Sequence, residues 1–108
     1  MQEKRLAQAQ IASGSQTTLY TLGADTTAIF KTIIITNTTS NSETISIWDV
    51  QSGSVYGDDN AIIKDLSIPA NDFTQLTTYL ILDTEDDAML AEAGTGSAIT
   101  INAYGAEV

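Results

Sequence analysis

Short runs of β-branched and aromatic residues, separated by clusters of Gly, Asn, Asp and Ser, fill the chain from Gln16 onward. This pattern is typical of strands rather than helices, because Thr, Ile and Val lose rotamer freedom in a helix but fit a pleated sheet. The runs predict strands at Thr17–Leu22, Ala28–Thr36, Thr44–Val50, Ala61–Ser67, Phe73–Leu82, Ala88–Glu92 and Ala98–Tyr104. We therefore predict an all-β fold, an antiparallel β-sandwich of the jelly-roll or immunoglobulin-like kind, with about seven to eight short strands and an N-terminal arm.

Alternation within the runs predicts which side of each strand faces the core, since successive side chains of a strand point to opposite faces. The predicted core positions are Ile33, Ile35, Ile45, Ile47, Ile99 and Ile101. The opposite positions, such as Ser46, Thr100 and Asn102, are mostly polar. Trp48 is the exception, because it lies on the polar side. Either a second layer of the same chain or another subunit is expected to cover it.

The first fifteen residues differ from the rest of the chain. Residues 1–15 are rich in Gln and Ala, and Leu6 and Ile11 are too sparse to define a strand or an amphipathic face. We interpret this stretch as an arm, either a short helix or an extended segment, that ends in a flexible joint at Ser13-Gly14-Ser15. Residues 16–108 then form the single β-sandwich domain.

Two motifs predict turns. Pro69 follows Ile68 and is expected to end one strand and to fix the turn into the next. Gly94-Thr95-Gly96 lies between two predicted strands without a following lysine and helix, which favours a hairpin turn over a phosphate-binding loop.

The net charge of the chain limits the classes of partner that it is expected to bind. The chain has fourteen acidic and four basic residues, for a net charge of -10, so most of its surface would repel nucleic acid. Two of the basic residues, Lys4 and Arg5, lie in the arm. No apolar run approaches the roughly 20 residues that cross a bilayer, and no secretory signal is visible at the N-terminus. We expect a soluble protein with no nucleic-acid and no membrane partner.

The chain contains neither histidine nor cysteine, which removes the commonest general base and the thiol nucleophile. We therefore expect no enzymatic activity and no cofactor. Paired carboxylates of a glycosidase would need a deep cleft, for which a domain of this size has little room. The acidic loops at Gly57–Asn60 and Asp83–Asp87 suggest a calcium site, although neither has helical calcium-loop spacing and solvated turns are the better interpretation.

Aromatic residues offer a different kind of contact. Trp48, Tyr56, Tyr79 and Tyr104 each combine a large ring with a polar group, as residues at protein and carbohydrate interfaces do. A carbohydrate-binding or calcium-dependent adhesion module that uses Trp48, Tyr56 and the acidic loops is therefore one alternative function. For Tyr79 and Tyr104, ordinary packing is an equally good interpretation.

Local motifs along nearly the whole chain resemble a family of small virion proteins of tailed bacteriophages, common in phages of marine bacteria and cyanobacteria. The similar segments are Glu3–Gln8, Leu19–Asp25, Ile33–Thr39, Ile68–Asp72 and Tyr104–Val108. The second segment departs from the family's Leu-Tyr-Thr-Val-Pro-Ala-Gly turn, because Gly23 stands where the family has proline. None of these motifs is catalytic.

The resemblance implies a structural subunit of a phage particle that assembles in the host cytoplasm and resides in the virion. We expect a capsid decoration (cement) subunit that contacts the major capsid protein or another virion protein. The expected contact residues are Lys4, Arg5, Leu6, Ile11, Trp48 and Tyr56. A symmetric homo-oligomer, with a trimer favoured, would strengthen attachment through repeated contacts. A tail, neck or fibre subunit, with loops 51–60 and 83–87 facing outward, is the alternative within the virion.

Overall fold

The computed structural model describes residues 2–108, which form eight β-strands and one short 3-10 helix at Asp58–Asn60. The strands are β1 (Gln2–Gln10), β2 (Thr17–Thr21), β3 (Ala28–Asn37), β4 (Glu43–Val50), β5 (Ala61–Ile68), β6 (Phe73–Leu82), β7 (Ala88–Ala93) and β8 (Ile99–Glu107). Strands β2 to β8 confirm the seven predicted strands, with bounds that differ by at most three residues. Within the described residues, no helix is long and apolar enough to cross a membrane.

The strands form two four-stranded sheets. Sheet 1 has the order β1-β8-β3-β6, and sheet 2 has the order β2-β7-β4-β5. Strand β1 pairs with β8, β2 with β7, β3 with β6 and β4 with β5, always antiparallel. This nested pairing of first with last strand is the jelly-roll arrangement, and it does not match the immunoglobulin strand order. The predicted β-sandwich is confirmed, and the topology selects the jelly roll.

The core lies between the sheets and is built from the predicted isoleucines. Ile33, Ile35, Ile45, Ile47, Ile99 and Ile101 are all buried. Phe30 of sheet 1 adds the largest fully buried side chain, and its ring meets that of Tyr20 from sheet 2 edge to face at 5.3 Å. Aromatic pairs of this geometry add stability beyond the area they bury.

The predicted arm is the edge strand of sheet 1, so the interpretation of residues 2–10 as separate from the sandwich is wrong. Strand β1 pairs with β8 from Gln2↔Glu107 to Gln10↔Thr100, with one register shift after Arg5. Ile11 is fully buried, and its N–H donates to the Ile99 carbonyl at 2.8 Å. The sequence pattern did not reveal this strand because its inward-facing residues, Ala7 and Ala9, have small side chains without a preference for strands. Met1, the first residue of the predicted arm, lies outside the described residues.

The two predicted turns have different outcomes. Strand β5 ends at Ile68 directly before Pro69, and β6 begins at Phe73, which confirms the predicted turn. The segment Gly94–Gly96 is not a hairpin turn, because β7 belongs to sheet 2 and β8 to sheet 1. It is a crossing between sheets, and a Cβ added at Gly94 would lie 2.5 Å from Thr44 Oγ1. Glycine is therefore needed for close approach rather than for a hairpin.

Candidate partner-binding surfaces

Charge is divided unevenly between the sheets. Three of the four basic residues (Lys4, Arg5, Lys31) and two of the fourteen acidic residues (Glu3, Glu107) lie on strands of sheet 1. The strands of sheet 2 and all connections therefore hold one basic and twelve acidic residues. Sheet 1 carries a formal charge of +1 and the rest of the chain carries -11. An acidic partner would meet the least repulsion at sheet 1.

A hollow of about 320 Å³ lies on sheet 1 at its β1–β8 side. It is lined by Glu3, Lys4, Arg5, Lys31, Thr32, Tyr104 and Gly105. The strand register places Arg5 beside Tyr104, and Tyr104 beside Thr32. Because neighbouring side chains on one face interact, these residues form one polar and aromatic row across three strands.

Arg5 is the basic residue of this hollow that remains open to a partner. Lys31 Nζ lies 3.1 Å from a Glu3 carboxylate oxygen, and Lys4 forms an ion pair with Glu107. The exposed Arg5 guanidinium instead donates to the side-chain oxygen of Gln8 at 3.3 Å. Within residues 2–108, no carboxylate lies within 4.0 Å of the Arg5 guanidinium. A carboxylate of a partner protein could accept two parallel N–H hydrogen bonds from the Arg5 guanidinium.

Lys4 has a different role, because it pairs with Glu107 of sheet 1, and Glu107 also accepts a hydrogen bond from sheet 2. The Tyr20 hydroxyl of β2 donates to one Glu107 oxygen, and Lys4 of β1 binds the other. The pKa of Glu107 is lowered by the hydrogen bond from Lys4, then by that from Tyr20. Burial, followed by the hydrogen bond to Glu107, raises the pKa of the Tyr20 hydroxyl. This cluster stabilises the sandwich at one end of the sheets.

Strand β6 forms the other edge of sheet 1 and exposes a row of apolar side chains. Burial along β6 alternates without a break from Phe73 to Ile81, with the odd-numbered residues exposed. Phe73 is 58% exposed, Tyr79 65% and Ile81 50%. The ten residues of β6 include no charged side chain. Among the described strands, this is the edge with the most exposed apolar surface.

On the outer face of sheet 2, Trp48 is covered by its own chain. Trp48 points away from Ile45 and Ile47, as predicted, yet it is only 3% exposed. The ring of Tyr56, from the β4–β5 connection, lies 4.9 Å from the indole, and Lys64 Nζ lies 5.8 Å from it. Trp48 Nε1 is buried without a hydrogen-bond partner. Of the two predicted covers for Trp48, the structure has the layer from the same chain.

In the acidic loop Asp83–Asp87, the Asp87 carboxylate accepts hydrogen bonds from backbone N–H groups. One Asp87 carboxylate oxygen accepts the N–H of Ser52 at 2.8 Å, and the other accepts those of Thr84 at 3.1 Å and Asp83 at 3.3 Å. In the part of the chain that the structure describes, no group of three potential metal-ligating acids comes together. Asp87 therefore ties the β4–β5 connection to the β6–β7 turn.

Another buried carboxyl lies on β4. Asp49 is half-buried and pairs in register with Met89 of β7. Burial raises its pKa, and the charge of Asp87 raises it further. Asp49 also lines a hollow with Gln51, Asp59 and Asn60. Within residues 2–108, no ion pair to Asp49 is formed, so burial of this carboxyl opposes folding.

The six predicted contact residues do not form one surface. Lys4 and Arg5 lie on sheet 1, whereas Trp48 and Tyr56 lie on the outer side of sheet 2. Ile11 is part of the core and offers no surface, and Leu6 is partly buried against the core. A partner-binding role for Arg5 stays a prediction.

Sequence reasoning missed Lys31, which joins Arg5 only through the pairing of β1, β8 and β3. Of the exposed row on β6, it named Tyr79 as a candidate contact residue but missed Phe73 and Ile81. A signal for that row was present: Phe73–Leu82 has apolar residues at both odd and even positions and no charge. Such a strand exposes apolar surface unless a further layer covers both of its faces.

Comparisons with known proteins find similarity of fold and none of sequence. No protein family model matches the chain, and no curated protein matches it. A chain in the solved structure of infectious bursal disease virus, Gx strain, is similar with a TM-score of 0.50 and 11% identity over 98% of this chain. A chain from the Gt strain has a TM-score of 0.42 and 7% identity over 98% of this chain. This chain spans only 31% and 30% of their respective lengths.

Proposed function

We propose that the protein is a non-enzymatic structural subunit of a virus particle. More specifically, we propose a capsid decoration subunit of a tailed bacteriophage, bound to the shell of major capsid proteins. The observation that carries the proposal is the jelly-roll topology, a common architecture of viral capsid domains. Its similarity to a chain of a solved virus supports the same class of function. Fold by itself does not fix function, so the surfaces must support it as well.

The outer face of sheet 1 is the surface we assign to the capsid shell. Its strands carry a formal charge of +1, whereas the strands of sheet 2 carry four acidic residues and one basic residue. Arg5 has no carboxylate partner there, and Tyr104 lies beside it. An exposed arginine next to a tyrosine is a typical centre of a protein interface. The expected partner surface is therefore acidic around an apolar centre.

The proposal is tested by adding purified protein to particles that lack it and measuring occupancy after sedimentation. Arg5→Glu should reduce occupancy at least tenfold, because it replaces an attractive charge by a repulsive one. Lys64→Glu is the matched control, since Lys64 is also exposed but lies on sheet 2. It should leave occupancy unchanged. Equal losses in both variants would show that net charge, rather than the face of sheet 1, governs binding.

The position in the particle has its own test. Labelling of intact particles with an antibody to this chain should decorate the capsid. Labelling of the tail, neck or fibres alone would replace the decoration proposal by the alternative virion subunit. Absence of the chain from purified particles would overturn the virion proposal as a whole.

A carbohydrate-binding function at Trp48 has less support. Sugar rings stack on an accessible aromatic face, and Tyr56 occupies the neighbourhood of the indole. Glycan binding by wild-type protein, lost in Trp48→Phe, would favour the adhesion alternative. A melting temperature that rises on addition of calcium would support its calcium-dependent form.

A further inference from the structure

Unpaired edge strands are the places where a β-sandwich can add another strand, since their outer N–H and C=O groups have no partner. The edges of this sandwich are β1 and β6 in sheet 1, and β2 and β5 in sheet 2. Proteins commonly protect such edges by short length, charge, proline or bulges. The four edges differ sharply in this protection.

Three of the edges are protected. Strand β2 has only five residues. Strand β1 carries Glu3, Lys4 and Arg5 and shifts register after Arg5. Strand β5 carries Lys64 and Asp65, and Asp65 has a positive φ of 50° at a register shift against β4. Each of these features disfavours pairing with another strand.

Strand β6 lacks most of these protections. It has ten residues, neither charge nor proline, and an exposed face with Phe73, Tyr79 and Ile81. Its one irregularity is the register shift against β3, which lies between Phe30 and Thr32 on β3 and between Thr77 and Leu80 on β6. Burial alternates along β6 across this point without a break. A long apolar edge in a natural protein indicates an interface rather than a free surface.

We propose that β6 pairs antiparallel with β6 of a second copy, which joins two copies of sheet 1 into one continuous eight-stranded sheet. A second copy is the occupant we commit to, because β6 is uncharged and its exposed apolar residues, Phe73, Tyr79 and Ile81, can pair with their own kind across a two-fold axis. Acidic residues elsewhere would repel a second chain of charge -10. Strand β6 is uncharged, and the whole of sheet 1 carries only two acids. The other twelve acidic residues lie on sheet 2 and in the connections.

Alternation and charge select the register of this pairing. Side chains on one face must meet side chains on the same face, so only residues of equal parity can pair. Centring the two-fold axis on Thr77 sets Phe73 against Ile81 of the second copy, and Gln75 against Tyr79 of the second copy. A shift of the axis by one residue toward Thr78 would set Phe73 against Asp83 of the second copy. A shift toward Leu76 would set Ile81 against Asn71 of the second copy, in the turn before β6, and so would pair less of the strand. The axis at Thr77 keeps both flanking carboxylates, Asp72 and Asp83, away from the aromatic and aliphatic pairs.

The inference extends the proposed virion function, since virion subunits act through repeated contacts, but it is tested on isolated protein. A contact about a two-fold axis closes at two copies. We therefore propose a dimer in place of the trimer that the sequence favoured. Absence of the chain from virus particles would remove the proposed function and leave the dimer intact, so the two can fail separately.

The first experiment measures molar mass by light scattering or sedimentation. Wild-type protein should have twice the chain mass of 11.5 kDa. Thr77→Lys should raise the dimer dissociation constant at least tenfold, because it places two ammonium groups face to face at the axis. Thr18→Lys is the matched control, an exposed threonine on the β2 edge of sheet 2, and should leave the mass unchanged. A monomeric wild type, or an equal effect of both variants, would overturn the proposal.

The second experiment uses the absence of cysteine from the chain. A residue on the two-fold axis faces its own copy at a Cα separation of about 4.5–5.5 Å, within the range that a disulfide spans. Thr77→Cys should therefore form a covalent dimer under mild oxidation, and Thr18→Cys should remain uncrosslinked. Failure of Thr77→Cys to crosslink faster than Thr18→Cys would refute the Thr77 axis, whatever the mass of the wild type.

Discussion

Sheet 1 and sheet 2 each have four antiparallel strands, yet their outer faces differ in charge and in covering. Sheet 1 is nearly neutral and exposes Phe73, Tyr79 and Ile81 along β6. The rest of the molecule is strongly acidic, and on sheet 2 the large aromatic residue Trp48 lies beneath Tyr56. The difference teaches that an acidic protein can still present one surface on which other protein can assemble. Acidic residues elsewhere keep the remaining surface from doing the same.

The largest expected effect concerns β1, which determines whether sheet 1 is a four-stranded sheet in solution. Ile11→Ala should reduce the free energy of unfolding by about 3 kcal/mol, because it leaves a cavity in a fully buried site. Urea unfolding followed by circular dichroism measures this change. Arg5→Ala, an exposed substitution on β1, which Ile11 directly follows, should change it by less than about 0.5 kcal/mol. Similar small losses in both variants would restore the predicted arm.

The sequence predicted most of sheet 1 but not its first strand, and the reason is physical. Strands β3, β6 and β8 are recognisable in the sequence by their Ile, Thr and aromatic residues. Strand β1 has Ala7 and Ala9 as inward side chains, and alanine has no preference for strands. Its position comes from pairing with β8, almost a hundred residues away in the chain, which local patterns do not reveal. Strand β1 therefore depends on a tertiary contact.

The second prediction tests whether Tyr56 shields Trp48 from water, so that its removal would leave an exposed aromatic residue on sheet 2 as on sheet 1. Tyr56→Ala should expose the indole of Trp48, the single tryptophan of the chain, and shift its fluorescence emission to the red. The lost aromatic pair should cost about 1 kcal/mol. Tyr79→Ala, on the exposed face of β6, should leave the emission unchanged. Unchanged emission in Tyr56→Ala would mean that other groups exclude water from Trp48.

Trp48 also marks how far the candidate surfaces were predictable. Strand parity alone places it on the outer face, and this was correct. The alternation of side chains along a strand does not predict whether a connection folds back over the sheet. The structure was therefore needed to decide whether the same chain or a partner covers Trp48. The same limit applies to Arg5, whose neighbours Tyr104 and Lys31 come from β8 and β3. Residue types were visible in the sequence, but their assembly into faces was not.

The third prediction concerns Glu107, which pairs with Lys4 within sheet 1 and accepts the Tyr20 hydrogen bond from sheet 2. Hydrogen bonds from Lys4 and Tyr20 lower the pKa of Glu107 below its ordinary value of 4.5. Its stabilising contribution is therefore present above that value and is lost as the pH falls through the lowered pKa. Glu107→Gln should reduce stability at pH 7 by about 1 kcal/mol or less, and the difference should vanish in acid. Thermal unfolding across the pH range measures it, with exposed Glu85→Gln as the control. A loss that persists unchanged in acid would assign the effect to packing.

The smallest expected effect has the opposite sign and comes from sheet 2. Burial raises the pKa of Asp49 above its ordinary value of 3.8, and the charge of Asp87 adds to the shift. The folded state therefore holds this proton more tightly than the unfolded chain does. Stability falls as the pH rises from the ordinary value through the raised pKa, and the cost is constant above it. Asp49→Asn should raise the melting temperature at pH 7 by at most a few degrees.

The same substitution should give no gain at a pH below 3.8, where Asp49 is protonated in both states. The two substitutions together distinguish a carboxylate whose charge stabilises the fold, Glu107 on sheet 1, from one whose charge destabilises it, Asp49 on sheet 2. If Asp49→Asn lowers stability at pH 7, the carboxylate has a favourable partner, and crowding by Asp87 does not dominate its environment. In that case the acidic residues outside sheet 1 do not reduce folding stability at Asp49. Their expected effect is then limited to repulsion between copies, which confines assembly to sheet 1.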